Sequence, residues 1–312
     1  MELYEEIYLK HFELREESAF FLGQEKYVSF DTKINHLNPL HKKVLIDEGI
    51  IIQKRSFQKR QYSKEKYLVL ESHPDDFALS CAGFMLDEFE NGARMTLLNI
   101  FSRGSLSTFP WNSRVNITEA EYEDLRLYES RTVAEYLGVE FRSQRRVLGL
   151  KRGHKTPFES LTERDSEVIE ELAESLETEI RGHSSMLVPL GIQNHVDHLV
   201  VYEAALRCKK RNPSLRTLFY EDLPYARNRI AHRSRMDKVA DQIDLKPIYV
   251  DVGAFIDIMA DLASIYRSQF DDVNRIQRLA LVQEYARTIA EEGKFDNQNR
   301  ECEFAQRIFA EV

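Results

Sequence analysis

Apolar and polar positions along the chain form blocks that predict strands and helices in turn. Short apolar runs bounded by polar residues predict five buried strands: YLVLES (67–72), MTLLNIF (95–101), SSMLVPL (184–190), TLFYEDL (217–223) and KPIYVDV (246–252). Longer amphipathic stretches predict helices at 77–92, 119–138, 161–182 and 198–210. The tail from Asp271 is predicted to be mostly helical.

This alternation predicts an α/β fold that is Rossmann-like, with a mostly parallel sheet and helices on both faces. In such sheets, ligands bind beyond the carboxyl ends of the strands. Thr162 and Asp165 have the spacing of a capping box and predict where the third of these helices begins. Neither a GxGxxG motif nor a P-loop occurs in the sequence, so a nucleotide cofactor is not predicted.

A basic stretch, KRSFQKRQYSKEK (54–66), separates the first part of the chain from the first core strand. It indicates a solvated linker, or alternatively a basic docking patch. We therefore divide the chain into an N-terminal appendage with this linker (1–65) and a main domain (66–312). The appendage alternates strand-like and helix-like segments, which predicts a small α/β unit.

Composition narrows the class of protein. The chain has 312 residues, 43% of them hydrophobic, and a formal net charge of -9, which argues against a nucleic-acid partner. Three cysteines without CxxC spacing favour a reducing compartment. The acidic N-terminus is unlike a signal peptide, and no segment approaches the roughly 20 apolar residues of a membrane span. We expect a cytoplasmic protein without a membrane span, and a homo-oligomer is compatible with these features.

Two groups of metal-binding residue types follow predicted strands. HPDD (73–76) comes directly after YLVLES, and HVDH (195–198) comes shortly after SSMLVPL. Because the carboxyl ends of parallel strands meet at one edge of a sheet, the two groups are expected to meet. Their imidazoles and carboxylates suit zinc, and suit iron or manganese less exclusively. Three protein ligands with an open position are typical of a catalytic metal site.

Each group also has a simpler interpretation. Asp75 and Asp76 have the position to cap the following helix, where carboxylates are stabilised by exposed N–H groups. His195 and His198 are three residues apart at a helix start and could form a surface pair. The occurrence of both groups at the ends of inner strands favours a metal site over these alternatives.

HPDD before a helix and HVDH after a strand resemble the two signature motifs of the PIG-L/LmbE-like zinc-dependent de-N-acetylases. The helix with Arg126 and Glu129, the segment TLFYEDLPY and the segment VDVGAFIDIMADLASIYRSQF are also similar to parts of that family. The resemblance covers roughly residues 67 to 290, and the appendage lies outside it. It implies three zinc ligands, which are His73, Asp76 and His198.

The resemblance also implies roles around the metal. Asp75 corresponds to the general base, and His195 to an electrophilic histidine that would be protonated. Asp197 corresponds to the carboxylate that orients His195, and Arg126 to an arginine that contacts substrate. A zinc ion lowers the pKa of its water toward about 7, and a nearby base can then remove the proton.

The sequence departs from the usual motifs at Phe77, where the family often has a glutamate, and at Val196, where it often has a proline. The change at Phe77 removes a carboxylate that would otherwise support the metal ligands. The polar loop 101–118 follows an inner strand, so Arg103, Trp111 and Arg114 are candidate sugar contacts; a solvated loop is the alternative. Tyr220 and Glu221 either reach the site or simply end a strand.

Together these observations predict a zinc-dependent hydrolase that removes an N-acyl group from an amino sugar or its conjugate, and the resemblance implies that the acyl group is acetyl. Zn²⁺ is the expected cofactor, although another divalent metal suits the same ligands. The expected partner is a small-molecule N-acetyl amino sugar. The alternatives are an amidase for another polar amide, such as a thiol-sugar conjugate or a natural-product intermediate, and a non-catalytic metal-binding module.

Overall fold

A computed structural model describes residues 65–104, 118–266, 268–269, 275–293 and 302–312. The strands are β1 (Lys66–Glu71), β2 (Arg94–Arg103), β3 (Glu140–Val147), β4 (Ser185–Pro189), β5 (Arg216–Tyr220), β6 (Leu245–Asp251) and β7 (Ala305–Glu311). The helices are α1 (Asp76–Ser80), α2 (Ala82–Glu90), α3 (Glu119–Leu137), α4 (Glu163–Glu179), α5 (Val196–Arg211), α6 (Arg229–Ala240), α7 (Ile256–Ile265) and α8 (Arg275–Gly293). The proposed appendage lies outside the described residues.

The strands form one sheet in the order β3-β2-β1-β4-β5-β7-β6. The pairings from β3 to β5 are parallel, whereas β7 is antiparallel to both of its neighbours. The mostly parallel, Rossmann-like prediction is therefore confirmed. Strand order reverses between β1 and β4, and a reversal of this kind opens a crevice at the carboxyl ends of the two strands.

The central strand β1 packs on both faces, which explains its continuous apolar character. Tyr67 and Val69 belong to a core cluster shared with α2 and α7, while Leu68 and Leu70 belong to a second cluster shared with α4 and α5. All four side chains have no exposed surface. This packing on two sides fixes the position at which β1 ends, and with it the loop that follows.

Several sequence predictions need correction. The helix predicted over 77–92 is two helices, because the backbone leaves helical geometry at Cys81 with a φ of -139°. Strand β3 was not predicted, since its basic side chains mask its β pattern. The mostly helical tail is confirmed for α8, but the prediction is wrong for β7, which is a strand.

Other local predictions are confirmed. Thr162 and Asp165 form the predicted capping box at the start of α4. The helix predicted over 119–138 begins after Thr118 and ends at Gly138, which has a φ of 68° that glycine tolerates readily. Within the ranges that the structure describes, the helices are all too short or too polar to cross a bilayer.

Candidate active site

The loop after β1 holds Asp75 in an unusual backbone conformation. Asp75 has a φ of 116° and a ψ of -24°, a region that costs a residue with a side chain about 1–3 kcal/mol. Its N–H donates a hydrogen bond to Oε1 of Glu71 at 3.1 Å. Glu71 is completely buried at the end of β1 and also accepts a hydrogen bond from the hydroxyl of Ser130 at 3.0 Å. The strand end therefore anchors the strained loop.

The second loop connects β4 to α5 and places its histidines at the start of that helix. The N–H of Val196 donates to the carbonyl of Pro157 at 2.8 Å, which ties the helix start to a neighbouring loop. The N–H of Gly149 donates to Oδ1 of Asp197 at 3.0 Å. A Cβ atom at Gly149 would stand 2.5 Å from Cγ1 of Val196, so this close approach depends on glycine.

The two loops meet through their histidines. Nδ1 of His73 lies 3.1 Å from Nε2 of His198. The far nitrogen of each ring contacts a carboxylate: Nε2 of His73 lies 3.0 Å from Oδ2 of Asp197, and Nδ1 of His198 contacts Oδ1 of Asp222. Oδ2 of Asp76 lies 3.5 Å from Nε2 of His198 and accepts the N–H of His73 at 2.8 Å. The near nitrogens and Asp76 thus converge on one point.

His195 has different surroundings. Its Nδ1 is buried and has no hydrogen-bond partner within the described part of the chain. Its ring lies 4.8 Å from the ring of His73 and 4.7 Å from that of His198, measured between centroids. Phe158 and Tyr225 pack against it at 5.5 Å and 5.6 Å. The predicted contact between Asp197 and His195 is not found, because Asp197 is bonded to His73 instead.

The pKa values of the residues in the site are shifted in different directions. Burial alone would lower the pKa of His198, but Asp76 and Asp222 outweigh it and raise the pKa to about 9. Burial, together with the two neighbouring imidazoles, lowers the pKa of His195 well below its usual range, which disfavours the expected protonated form at neutral pH. Burial also raises the pKa of Asp75 well above that of an ordinary aspartate. The site stabilises a cation beside His198.

The candidate substrate contacts lie in different places. Arg126 is 3% exposed; its NH2 donates to the carbonyl of Pro74 at 3.0 Å and lies 3.7 Å from Oδ1 of Asp75. Its Nε is buried and unpaired among the described residues. Arg103 is the last residue of β2 and is exposed. Trp111 and Arg114 lie outside the described residues.

Sequence reasoning missed Asp222. Tyr220 donates its hydroxyl to the carbonyl of Leu70, and Glu221 pairs with Arg307 and His232, so neither joins the histidine cluster. Asp222 is the next residue, is completely buried, and reaches the cluster. Its place at the carboxyl end of a strand adjacent to β4 was the available signal.

The sequence analysis also missed two residues that contact the candidate site, Arg152 and Glu71. NH1 of Arg152 donates to Oδ1 of Asp197 at 2.7 Å, and its NH2 contacts Asp165 at 3.1 Å. Glu71 places a buried carboxylate beneath the HPDD loop, while Phe77 is completely buried in the core. Only the fold brings Arg152 to the site, whereas Glu71 stands two residues before the HPDD motif in the sequence.

The donor set suits a metal ion. His73, His195 and His198 are buried, and one ring nitrogen from each lies within 4.8 Å of the other two. Carboxylates hold the far nitrogens of His73 and His198, which is how proteins commonly orient metal-binding imidazoles. Imidazole and carboxylate ligands suit zinc and related divalent metals.

The fold and this cluster define a Rossmann-like α/β protein with a candidate metal centre at its switch point. Residues 68–209 match the family model described as PIG-L: GlcNAc-PI de-N-acetylase. This match over 142 of the 312 residues confirms the resemblance based on the HPDD and HVDH motifs.

One curated relative is the 2′-N-acetylparomamine deacetylase of Streptomyces fradiae, which is 36% identical over 174 residues. The match covers 53% of this chain and 59% of the relative, less than two thirds of the relative's length.

Solved structures share the fold at low identity. Teicoplanin deacetylase Orf2, in its zinc-inhibited form, is 17% identical with a TM-score of 0.60, over 79% of this chain and 98% of that one. The 4-carboxy-2-hydroxymuconate hydratase GalB of Pseudomonas putida KT2440 is 15% identical with a TM-score of 0.52, over 80% and 96%. One of these proteins is a deacetylase and the other a hydratase, so the fold does not by itself fix the reaction.

Proposed function

We propose that the chain is a metal-dependent hydrolase that removes an N-acetyl group from an amino sugar or amino-sugar conjugate. The observation that carries the proposal is the convergence of His73, Asp76 and His198, with Asp75 beside them, at the switch point of the sheet. Metal ligands next to an unligated carboxylate are the parts needed to hydrolyse an unactivated amide.

We assign His73, Asp76 and His198 as the metal ligands. The rings of His73 and His198 are each held by a carboxylate, as metal-binding imidazoles commonly are, whereas His195 has no such partner. A divalent metal at these ligands would polarise the acyl carbonyl and lower the pKa of water. Zinc is the metal that this ligand set favours.

Asp75 acts as the general base in this proposal. Its side chain lies 3.7 Å from the guanidinium of Arg126, and its backbone N–H donates to Glu71 at 3.1 Å, so both contacts hold Asp75 in place. Burial raises the pKa of the Asp75 carboxyl, which makes its carboxylate a stronger base than an ordinary aspartate. Asp75 takes a proton from a water molecule as the oxygen of that water attacks the acyl carbon. The same proton can pass to the leaving nitrogen when the C–N bond breaks.

His195 remains a neutral imidazole, because its surroundings lower its pKa. A neutral ring still donates one N–H, so His195 can hydrogen-bond the oxyanion that develops on the acyl carbonyl. Arg126 acts by positioning Asp75, since its side chain is buried against the HPDD loop. The products are acetate and a free amine.

The amino-sugar substrate is supported by the match to the GlcNAc-PI de-N-acetylase family model and by the relative from Streptomyces fradiae, which is named for the deacetylation of 2′-N-acetylparomamine. Cytoplasmic localisation is supported by three cysteines that form no disulfide. We also propose that a domain boundary near residue 65 separates the N-terminal appendage from the main domain.

The test is to measure bound metals in the purified full-length protein and to assay acetate release from 2′-N-acetylparomamine and N-acetylglucosamine. We expect about one divalent metal per chain, loss of activity after chelation, and recovery after zinc is restored. Metal without hydrolysis of either compound would favour a binding module. Release of acyl groups only from unrelated amides would favour a different amidase.

A further inference from the structure

The ring of Phe158 is exposed although it packs beside a candidate catalytic residue. Its side chain is among the few large apolar ones that remain exposed in the described structure, at 43%. Its ring stands almost perpendicular to those of His195 and Tyr225, at 89° and 78°. Exposure of a single apolar side chain is common, but this ring lies beside the candidate site, where it can supply apolar surface to a ligand.

The loop that carries Phe158 is held in place by hydrogen bonds. The carboxylate of Glu159 accepts the N–H groups of Lys155 and Thr156 at 3.1 Å and 2.9 Å. The hydroxyl of Thr156 accepts the N–H of Phe158 at 3.3 Å. The carbonyl of Pro157 accepts the N–H of Val196, which starts α5. The exposed ring is therefore presented on a preorganised loop, which lowers the entropy lost on binding.

Tyr225 supplies a second ring at the same place. Its centroid lies 5.6 Å from those of both Phe158 and His195, and 5.7 Å from that of His198. Phe158 and Tyr225 together form what we call the aromatic wall. It rises from the buried histidines, of which His198 has no exposed surface, to the exposed ring of Phe158.

We propose that the aromatic wall is a binding subsite for the apolar C–H face of the sugar ring that bears the acetamido group. The inference rests on the proposed function and adds the part of the substrate outside the acetyl group. The acetyl group must reach the buried histidines for hydrolysis, so the portion of the substrate near exposed Phe158 is the ring rather than the acyl methyl. A pyranose ring presents C–H groups on one face, which an aromatic side chain can cover.

The test compares a ring probe with an acyclic one in the full-length, metal-loaded protein. The ring probe is the methyl glycoside of N-acetylglucosamine, and the acyclic probe is N-(2-hydroxyethyl)acetamide. Affinities are measured by NMR titration, which requires no hydrolysis. We expect Phe158→Ala to lower the ratio of ring to acyclic affinity about 3- to 10-fold, the range for loss of one aromatic contact. Phe158→Leu, which keeps apolar bulk, should lower it less.

Leu281→Ala is the matched control, because Leu281 is exposed to nearly the same extent, at 44%, on helix α8. This variant should leave the ratio unchanged. The inference is overturned if the wild-type protein binds the ring probe no better than the acyclic probe, or if Phe158→Ala weakens both equally. Loss of affinity for longer N-acyl chains, with an unchanged ratio for the two acetyl probes, would assign the wall to the acyl group instead.

Failure of the proposed function gives a different result. In that case the ring probe still binds in a manner that depends on Phe158, but no acetate is released from it by any variant or by the wild-type protein.

Discussion

The two sides of the candidate site differ in how their histidines are supported. On one side, which we call the charged floor, Asp197 and Asp222 hold the rings of His73 and His198. On the other side, His195 meets Phe158 and Tyr225 and has a buried Nδ1 without a hydrogen-bond partner in the described structure. Carboxylates favour a cation, whereas burial beside two other imidazoles favours a neutral His195.

This difference supports the proposal that three histidines close enough for one metal do not all serve as ligands. The carboxylates behind His73 and His198 make those rings better metal ligands. In the proposed mechanism His195 donates a hydrogen bond to substrate, and the rings of Phe158 and Tyr225 pack against its imidazole. The following experiments test the roles assigned to the two sides of the site and, last, the proposed domain boundary.

The largest effect is expected from His198→Ala, which removes a proposed ligand from the charged floor. We expect the variant to fold, to lose its metal and to have no measurable deacetylase activity. Elemental analysis and circular dichroism, run on the same sample, provide the measurement. Full metal occupancy in the folded variant would exclude His198 from the ligand set.

Asp75→Asn should reduce kcat about 10²- to 10⁴-fold, because it removes a positioned base while it preserves side-chain size. Metal content and KM should change much less, since the base acts mainly in the transition state. Steady-state acetate release, with metal analysis in parallel, tests both points. Near-normal kcat would mean that another group removes the proton, and loss of metal would mean that Asp75 is a ligand.

His195→Ala should reduce kcat about 10²- to 10³-fold, the range for loss of one oxyanion donor. His195→Gln should retain more activity than the alanine variant, because its amide N–H can replace a neutral imidazole N–H. Both variants should keep the metal. Equal loss in the two variants would indicate that His195 acts as a cation or as a proton donor, and metal loss would make it a ligand.

Asp222→Asn should weaken metal binding about 10- to 100-fold, since it removes the charge behind His198. Competition with a chelator measures this affinity. Glu221→Gln is a matched control, because Glu221 is equally buried but contacts Arg307 and His232 instead of the site. If the two variants lower the metal affinity equally, the effect of the Asp222 substitution is a general loss of stability.

The smallest effect is expected from shortening the chain to begin at Ser63. All proposed ligands and acid–base residues lie beyond that point, so the shortened protein should remain soluble, bind metal and keep a similar kcat. Light scattering, metal analysis and acetate release are the measurements. Insoluble or metal-free protein would show that the appendage covers part of the core.

Much of the fold was accessible from sequence because local patterns agreed with the tertiary structure. The apolar run of β1 and the capping box of α4 required no knowledge of distant partners. Strand β3 was missed since its arginines pair with carboxylates on helices, including Arg142 with Glu179 at 2.8 Å. Strand β7 was missed because its partners β5 and β6 precede it by many residues.

The candidate site was likewise predictable from sequence only in part. The HPDD and HVDH motifs identified residues at two strand ends, and the rule for parallel sheets predicted that they would meet. The rule could not show that Asp197 would turn toward His73 rather than His195, because that choice depends on Arg152 and Gly149. The low pKa of His195 arises from burial beside other imidazoles, which no local pattern encodes.

The position of β7 has a consequence for biosynthesis. Strand β6 pairs only with β7 in this sheet, and β7 also covers the outer edge of β5. During translation, the edges of β5 and β6 that pair with β7 therefore stay unpaired until residues 305–311 leave the ribosome. Unpaired strand edges expose a folding chain to aggregation. Asp222 lies just beyond β5, so one carboxylate of the charged floor depends on a strand whose edge stays unpaired until β7 has been synthesised.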